Sequence, residues 1–286
     1  MPESPGPPSF GDRVASAVAG TGPLCAGIDP SAELLAAWNL TDDARGVLEF
    51  GMRCVEAFAG VVPVIKPQVA FFERHGSAGL AALESVLAAA RDAGLVVIAD
   101  AKRGDIGSTM AAYASAWLGP DSPLAADAVT ALPYLGLGSL QPLFDLAGAH
   151  GRGVVVVVRS SNPEGRALQE AVTDRGKGPS VEDMLLGQIA ALNHGGAVPP
   201  GTVGVVVGAT LQPSGFPLPE LGGVVLAPGV GAQGGGAAEV AALFAGCPPG
   251  SVVASASRSL LASGPDVTAL AASARQVRDE MGEALR

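Results

Sequence analysis

The sequence predicts an α/β fold of the (β/α)8 TIM-barrel class in a single domain, and three observations predict it. Short β-branched apolar runs alternate with longer Ala/Leu-rich stretches, the pattern of successive βα units. Eight such runs are present, whereas an open doubly wound sheet usually has about five to seven strands. Polar side chains recur at the carboxyl ends of the runs and are scarce inside them, and a barrel of this class builds its active site at those ends. The length of 286 residues suits one barrel, since about 250 residues commonly make one unit. Hydrophobic residues at 48% and charged residues at 15% supply a large core, and 40 glycines supply tight strand-to-helix turns. No stretch reads as a linker between domains.

In chain order, residues 1–10 are expected to be a disordered or loosely packed tail, and 11–286 the barrel domain. The opening MPESPGPPSFGDR lacks the basic region and apolar core of a signal peptide, and no apolar run reaches membrane-spanning length, so a cytoplasmic protein is expected. The expected strands are 24–28, 61–66, 95–100, 128–132, 153–159, 203–207, 224–227 and 252–255, each a short run rich in Val, Ile, Leu or Ala bounded by turn residues. Helical patterns cover 44–58, 79–93, 109–118, 140–149, 181–193, 237–245 and 265–285. Residues 160–180, rich in Gly, Pro and charge, read as a long loop with a short helix.

One stretch, LVVIADAKRGDIGSTMAAY from 95 to 113, packs two acids and two bases into six consecutive positions. Its first four residues are a continuous apolar run, as in a strand buried on both faces. Positions i and i+2 of a strand share a side, so Asp100 and Lys102 project together from its end. Gly104 frees the backbone to turn, Asp105 follows on the loop, and Ser108 offers an N-cap to the next helix. An arbitrary Asp-x-Lys would most simply be a solvated βα loop; the strict order Asp-Ala-Lys-Arg-Gly-Asp-Ile-Gly-Ser-Thr argues otherwise.

The other strand ends carry Asp29, Lys66-Pro67-Gln68, Ser160-Ser161-Asn162-Pro163, Pro228-Gly229 and Ser257-Arg258-Ser259. The run GVGAQGGG after the seventh strand satisfies Gly-x-Gly-x-x-Gly through Gly229, Gly231 and Gly234. A dinucleotide site is disfavoured, because no acidic partner for a ribose follows at the next strand end. A phosphate cradle of backbone N–H groups, with Arg258 as a charged clamp, fits better, against the simpler view that the glycines merely turn. A net charge of -10 argues against general binding of nucleic acid or anionic membranes. Three cysteines (Cys25, Cys54, Cys247) and three histidines (His75, His150, His194) are scattered, without disulfide or metal spacing.

The Asp-x-Lys-x-x-Asp pattern with a following Ile and Thr resembles the hallmark of the orotidine 5′-phosphate decarboxylases, and is most similar to their longer bacterial subgroup (type 2). LCAGID, VIKPQ, IADAKRGDIGST, SSNPEG, VVGAT, APGVGAQGG and ASRSL resemble family blocks in family order, spanning roughly 24–259. The resemblance implies that Lys66, Asp100, Lys102 and Asp105 form an alternating charge array, with Asp105 reaching the partner's site across a homodimer. It further implies ribose contacts from Asp29 and Lys66, with Ile106 and Thr109 accompanying Asp105. Ser161, or its neighbour Ser160, would touch the pyrimidine, and Pro228, Gln233 and Arg258 would line the substrate site, the last two holding the 5′-phosphate. Neither a metal nor an organic cofactor is implied.

Loss of carbon dioxide from carbon 6 of orotate leaves a carbanion perpendicular to the ring π system, so stabilisation must be electrostatic. A lysine ammonium beside carbon 6 can stabilise that charge and then protonate it, the role expected of Lys102 in making uridine 5′-phosphate, the last step of UMP synthesis. Asp100 more safely holds the lysines than destabilises the substrate. Two other readings stand beside it: a metal-assisted sugar-phosphate decarboxylase or aldolase on the same barrel, and a phosphometabolite-binding protein without turnover.

Overall fold

The computed structural model describes residues 7–230 and 235–286. Eight parallel strands close into a barrel in sequence order: β1 Leu24–Ile28, β2 Val64–Pro67, β3 Val96–Arg103, β4 Ala128–Ala131, β5 Gly153–Arg159, β6 Val203–Val207, β7 Val225–Pro228 and β8 Val252–Ala256. The ring shuts where Leu24, Cys25 and Ala26 of β1 pair with Ala254, Ser255 and Ala256 of β8. Helix α1 Phe10–Thr21 precedes β1; α2 Ala44–Phe58, α3 Gly76–Asp92, α4 Gly107–Leu118, α5 Gln141–Ala149 and α6 Val181–His194 follow the first five strands in turn. Helices α7 Ala237–Leu243 and α8 Val267–Ala284 follow β7 and β8, while β6 leads into a single 3-10 turn, Leu218–Glu220.

Strands covered on both faces need apolar side chains in both directions. Alternation along each strand supplies them: Cys25, Val64, Val96, Ile98, Val155 and Val253 pack inside the barrel, and Ala26, Ile65, Val97, Val129 and Val154 pack outward beneath the helices. The amino-terminal end of the barrel is plugged by α1, whose Phe10 and Val14 join the inner cluster. Gly153, first in β5, makes room: a Cβ there would lie 2.3 Å from Cδ1 of Phe10. A capping box between Ser9 and Asp12 starts α1. Ser9 and Phe10 are thus buried rather than part of a loose tail; residues 1–6 of that expected tail lie outside the described residues.

Other expectations shift at their edges for local reasons. The run at 61–66 enters β2 only at Val64, because the N–H groups of Val61 and Val62 close the end of α2 on the Phe58 carbonyl. Ser108 does not cap α4, which starts at Gly107, two residues before the expected 109, with Ile106 at the N-cap and no side-chain bond there. Asp105 Oδ1 instead accepts the Ile106 N–H at 2.8 Å. The segment 160–180 holds a 3-10 turn, one four-residue helix, Arg166–Gln169, and a turn over Thr173–Gly176 in which Asp174 and Arg175 are left-handed, and it is tied by an antiparallel bridge from Val172 to Ser180. No helix among the described residues is long and apolar enough to cross a membrane.

Candidate active site

The site begins with an irregularity in β3. Its register against β4 slips between Ala99 and Arg103, and Lys102 takes φ +49°, a left-handed conformation that costs a non-glycine residue roughly 1–3 kcal/mol. Anchors on both sides offset that cost. The Lys102 N–H donates to Thr130 Oγ1 at 2.9 Å. Arg103 donates to the Ala101 carbonyl at 2.9 Å, pairs with Glu73, and lies 5.6 and 5.5 Å from the ring centres of Tyr113 and Trp117. Asp100 and Lys102 do project together, but through this kink rather than along a regular strand.

Asp100 is the hub. Its Oδ1 accepts from Lys102 Nζ at 2.6 Å and from Thr130 Oγ1 at 2.9 Å; its Oδ2 accepts from Lys66 Nζ at 2.9 Å and from Gln68 Nε2 at 3.0 Å. A carboxylate offers about four lone-pair positions, and here all four are used. Burial would raise the Asp100 pKa, but Lys66 and Lys102 outweigh it and hold the carboxyl well below the usual range. Burial likewise opposes the charge on Lys66, and Asp100 with Asp29 more than offsets it, keeping that ammonium above the usual lysine range. The two lysines differ in access: the Lys66 side chain is 9% exposed and that of Lys102 44%. Lys66 is the fixed cation, and Lys102 faces the opening.

This array floors a cavity of about 310 Å³ at the carboxyl ends of the strands, whose rim carries Asp29, Ser160, Ser161, Pro228 and Arg258. Asp29 Oδ2 accepts from Ser257 Oγ at 2.5 Å, while its Oδ1 is buried with no donor among the described residues, placed for a ligand hydroxyl. Ser160 is committed to Gln169, which accepts the Ser160 N–H at 3.1 Å and donates to its hydroxyl at 2.8 Å. Val157, Val206 and Leu226 give the cavity an apolar wall. A wider hollow of about 1030 Å³ lies at the opposite end of the barrel, between the ends of α1 and α8, away from every strand-end charge.

The structure therefore gathers Asp29, Lys66, Asp100, Lys102, Ser161, Pro228 and Arg258 around one cavity. Asp105, Ile106 and Thr109 do not line it: Ile106 and Thr109 stand exposed beyond the bend after β3. Gln233, with Gly231 and Gly234 of the glycine run, lies outside the described residues. Gln68 and Ser257 stand among the polar strand ends of the sequence but carry no expected role there, and Thr130 escapes the sequence reading altogether. Gln68 sits two residues past Lys66 on the same side, Thr130 is the one polar residue in the apolar run 128–132, and Ser257 directly precedes Arg258; each offers a weak signal of that kind.

A family model described as "Orotidine 5'-phosphate decarboxylase / HUMPS family" matches residues 22–273. The chain belongs to the orotidine 5′-phosphate decarboxylase / HUMPS family. Similar members span nearly the whole chain. The orotidine 5′-phosphate decarboxylase of Salinispora arenicola is 52% identical over 277 residues, 97% of this chain and 98% of its own. That of Corynebacterium efficiens is 52% identical over 261 residues, 91% and 92% of the two chains. A crystal structure from Streptomyces avermitilis, described as a candidate orotidine 5′-phosphate decarboxylase, superposes with a TM-score of 0.92 at 48% identity, covering 100% of this chain and 99% of the other. The strand-end groups thus sit on the family's barrel.

Proposed function

We propose that this protein decarboxylates orotidine 5′-phosphate to uridine 5′-phosphate and carbon dioxide, the last step of UMP synthesis, without a metal or organic cofactor. The observation that carries the reading is the Lys66–Asp100–Lys102 array at the cavity floor, in a chain about half identical to relatives of that name. A preorganised ammonium beside an apolar wall is what a developing carbanion at carbon 6 requires, because no ring orbital can delocalise it. Lys102, the accessible lysine, is the proton donor. Asp100 holds the two cations; with every lone pair engaged it is neither a base nor a ready metal ligand. Asp29 takes a ribose hydroxyl on its open oxygen, Arg258 and Gln233 take the 5′-phosphate, and Pro228 lines the nucleotide. Ser161, or its neighbour Ser160, touches the pyrimidine from the cavity rim.

Purified protein is expected to bleach the ultraviolet band of orotidine 5′-phosphate at the same rate with and without excess chelator. Loss of turnover on chelation, with recovery on adding a divalent ion, would instead support the sugar-phosphate lyase reading, whose metal needs extra carboxylates. Binding of uridine 5′-phosphate without turnover would support a non-catalytic protein.

We further propose a cytoplasmic homodimer in which Asp105, Ile106 and Thr109 enter the partner's site. The exposed apolar group Ile106, Leu132, Tyr134 and Leu135, at 61, 40, 79 and 53% exposure, supports it, since such patches mark contact surfaces. Chains carrying Lys102→Ala mixed with chains carrying Asp105→Ala should regain about a quarter of the native activity, because half the dimers are mixed and one of their two sites is whole. No regain after subunit exchange would place both residues in one chain's site.

A further inference from the structure

We propose that Thr130, on β4, is a positioning residue that sets both Asp100 and Lys102 for the reaction; its kinetic consequence rests on the decarboxylase reading above. Thr130 is 1% exposed. Its hydroxyl oxygen accepts the Lys102 backbone N–H at 2.9 Å, and its proton goes to Asp100 Oδ1 at 2.9 Å. The two bonds enforce one another: an oxygen already accepting from an amide must aim its single proton elsewhere, and the carboxylate supplies the acceptor. One side chain thereby fixes two unlike things, the left-handed backbone of the lysine and the carboxylate position that its ammonium leaves free.

The placement explains why a side chain is needed at all. Between Ala99 and Arg103 the β3–β4 register slips, and the Lys102 amide is satisfied by the Thr130 hydroxyl where a regular ladder would use a backbone carbonyl. Without the hydroxyl, the amide and one carboxylate lone pair lose their partners together. The backbone at 102 is then free to leave its strained conformation, and the ammonium moves with it.

Thr130→Val keeps the shape and removes the hydroxyl. It is expected to lower kcat about 10- to 100-fold, the loss of one hydrogen bond to a charged group plus an orphaned donor, with KM for orotidine 5′-phosphate within about threefold of native. Thr130→Ser restores the hydroxyl and should recover kcat to within about threefold. A second readout needs no turnover: hydrogen exchange at the Lys102 amide should be protected in the native protein and the serine variant, and about tenfold faster or more in the valine variant. Thr130→Ala gives the same reading if the valine variant does not fold. Native kcat in the hydroxyl-free variants, a loss carried by KM, a serine variant as impaired as valine, or unchanged exchange at Lys102 would each overturn the proposal. If the native protein fails to turn over the nucleotide, the decarboxylase reading falls, while the exchange measurement still decides whether Thr130 holds Lys102.

Discussion

Lys102→Ala is expected to abolish nearly all decarboxylation while leaving the barrel folded. A positioned general acid contributes about 10²–10⁴ and a preorganised charge at a developing anion about 10²–10³, so turnover should fall roughly 10⁴-fold or more. The loss should lie in kcat, because in the proposed complex the nucleotide is gripped by its phosphate and ribose away from position 102. Stability should stay close to native or rise slightly. The side chain is 44% exposed, so little packing is lost, and Lys66 and Gln68 still hold Asp100. Single-turnover rates with urea unfolding of the same sample check both halves. A variant with near-native turnover would take the proton-donor role from Lys102.

Asp100→Ala is expected to damage both catalysis and folding. Removing one member of a buried pair leaves the other as an uncompensated charge, which typically costs about 3–5 kcal/mol, and among the described residues Lys66 hydrogen-bonds no other carboxylate. The pH dependence follows from the shift directions. The Asp100 carboxyl is held below its ordinary value, so its contribution is present above the unfolded carboxyl pKa of about 3.9 and fades as the pH falls below it. Lys66 is held above its ordinary value, so its contribution is present below about pH 10.4 and fades as the pH rises past it. The stability gap between native and variant should therefore be widest between about pH 4 and 10 and narrow on either side. A gap that grows on acidification would contradict the array.

The frame of the molecule could be read from periodicity because burial on both faces forces continuous apolar runs: β5, β6 and α2 have the bounds that their apolar and amphipathic patterns predict. The strand-end lysines and aspartates were legible for a related reason, since a charge at the end of such a run has few structural uses. What stayed hidden depends on neighbours in space. The hydroxyl of Thr130 matters only because β3 slips beside it, and Ser257 matters only because the last strand closes next to the first and brings it to Asp29. The packed start of the chain was missed because a Pro/Gly-rich opening gives no sign that Phe10 fills the barrel's floor opposite Gly153.

The unequal access of the two lysines bears on how the proposed cycle resets. Each round leaves the outer ammonium one proton short, and the carboxylate between the lysines, with every lone pair occupied, has no room to relay a replacement from the inner one. Reloading must come from bulk water through the mouth of the cavity. The doorway by which the product leaves is thus also the doorway by which the enzyme recharges, so neither event can be slowed without delaying the other.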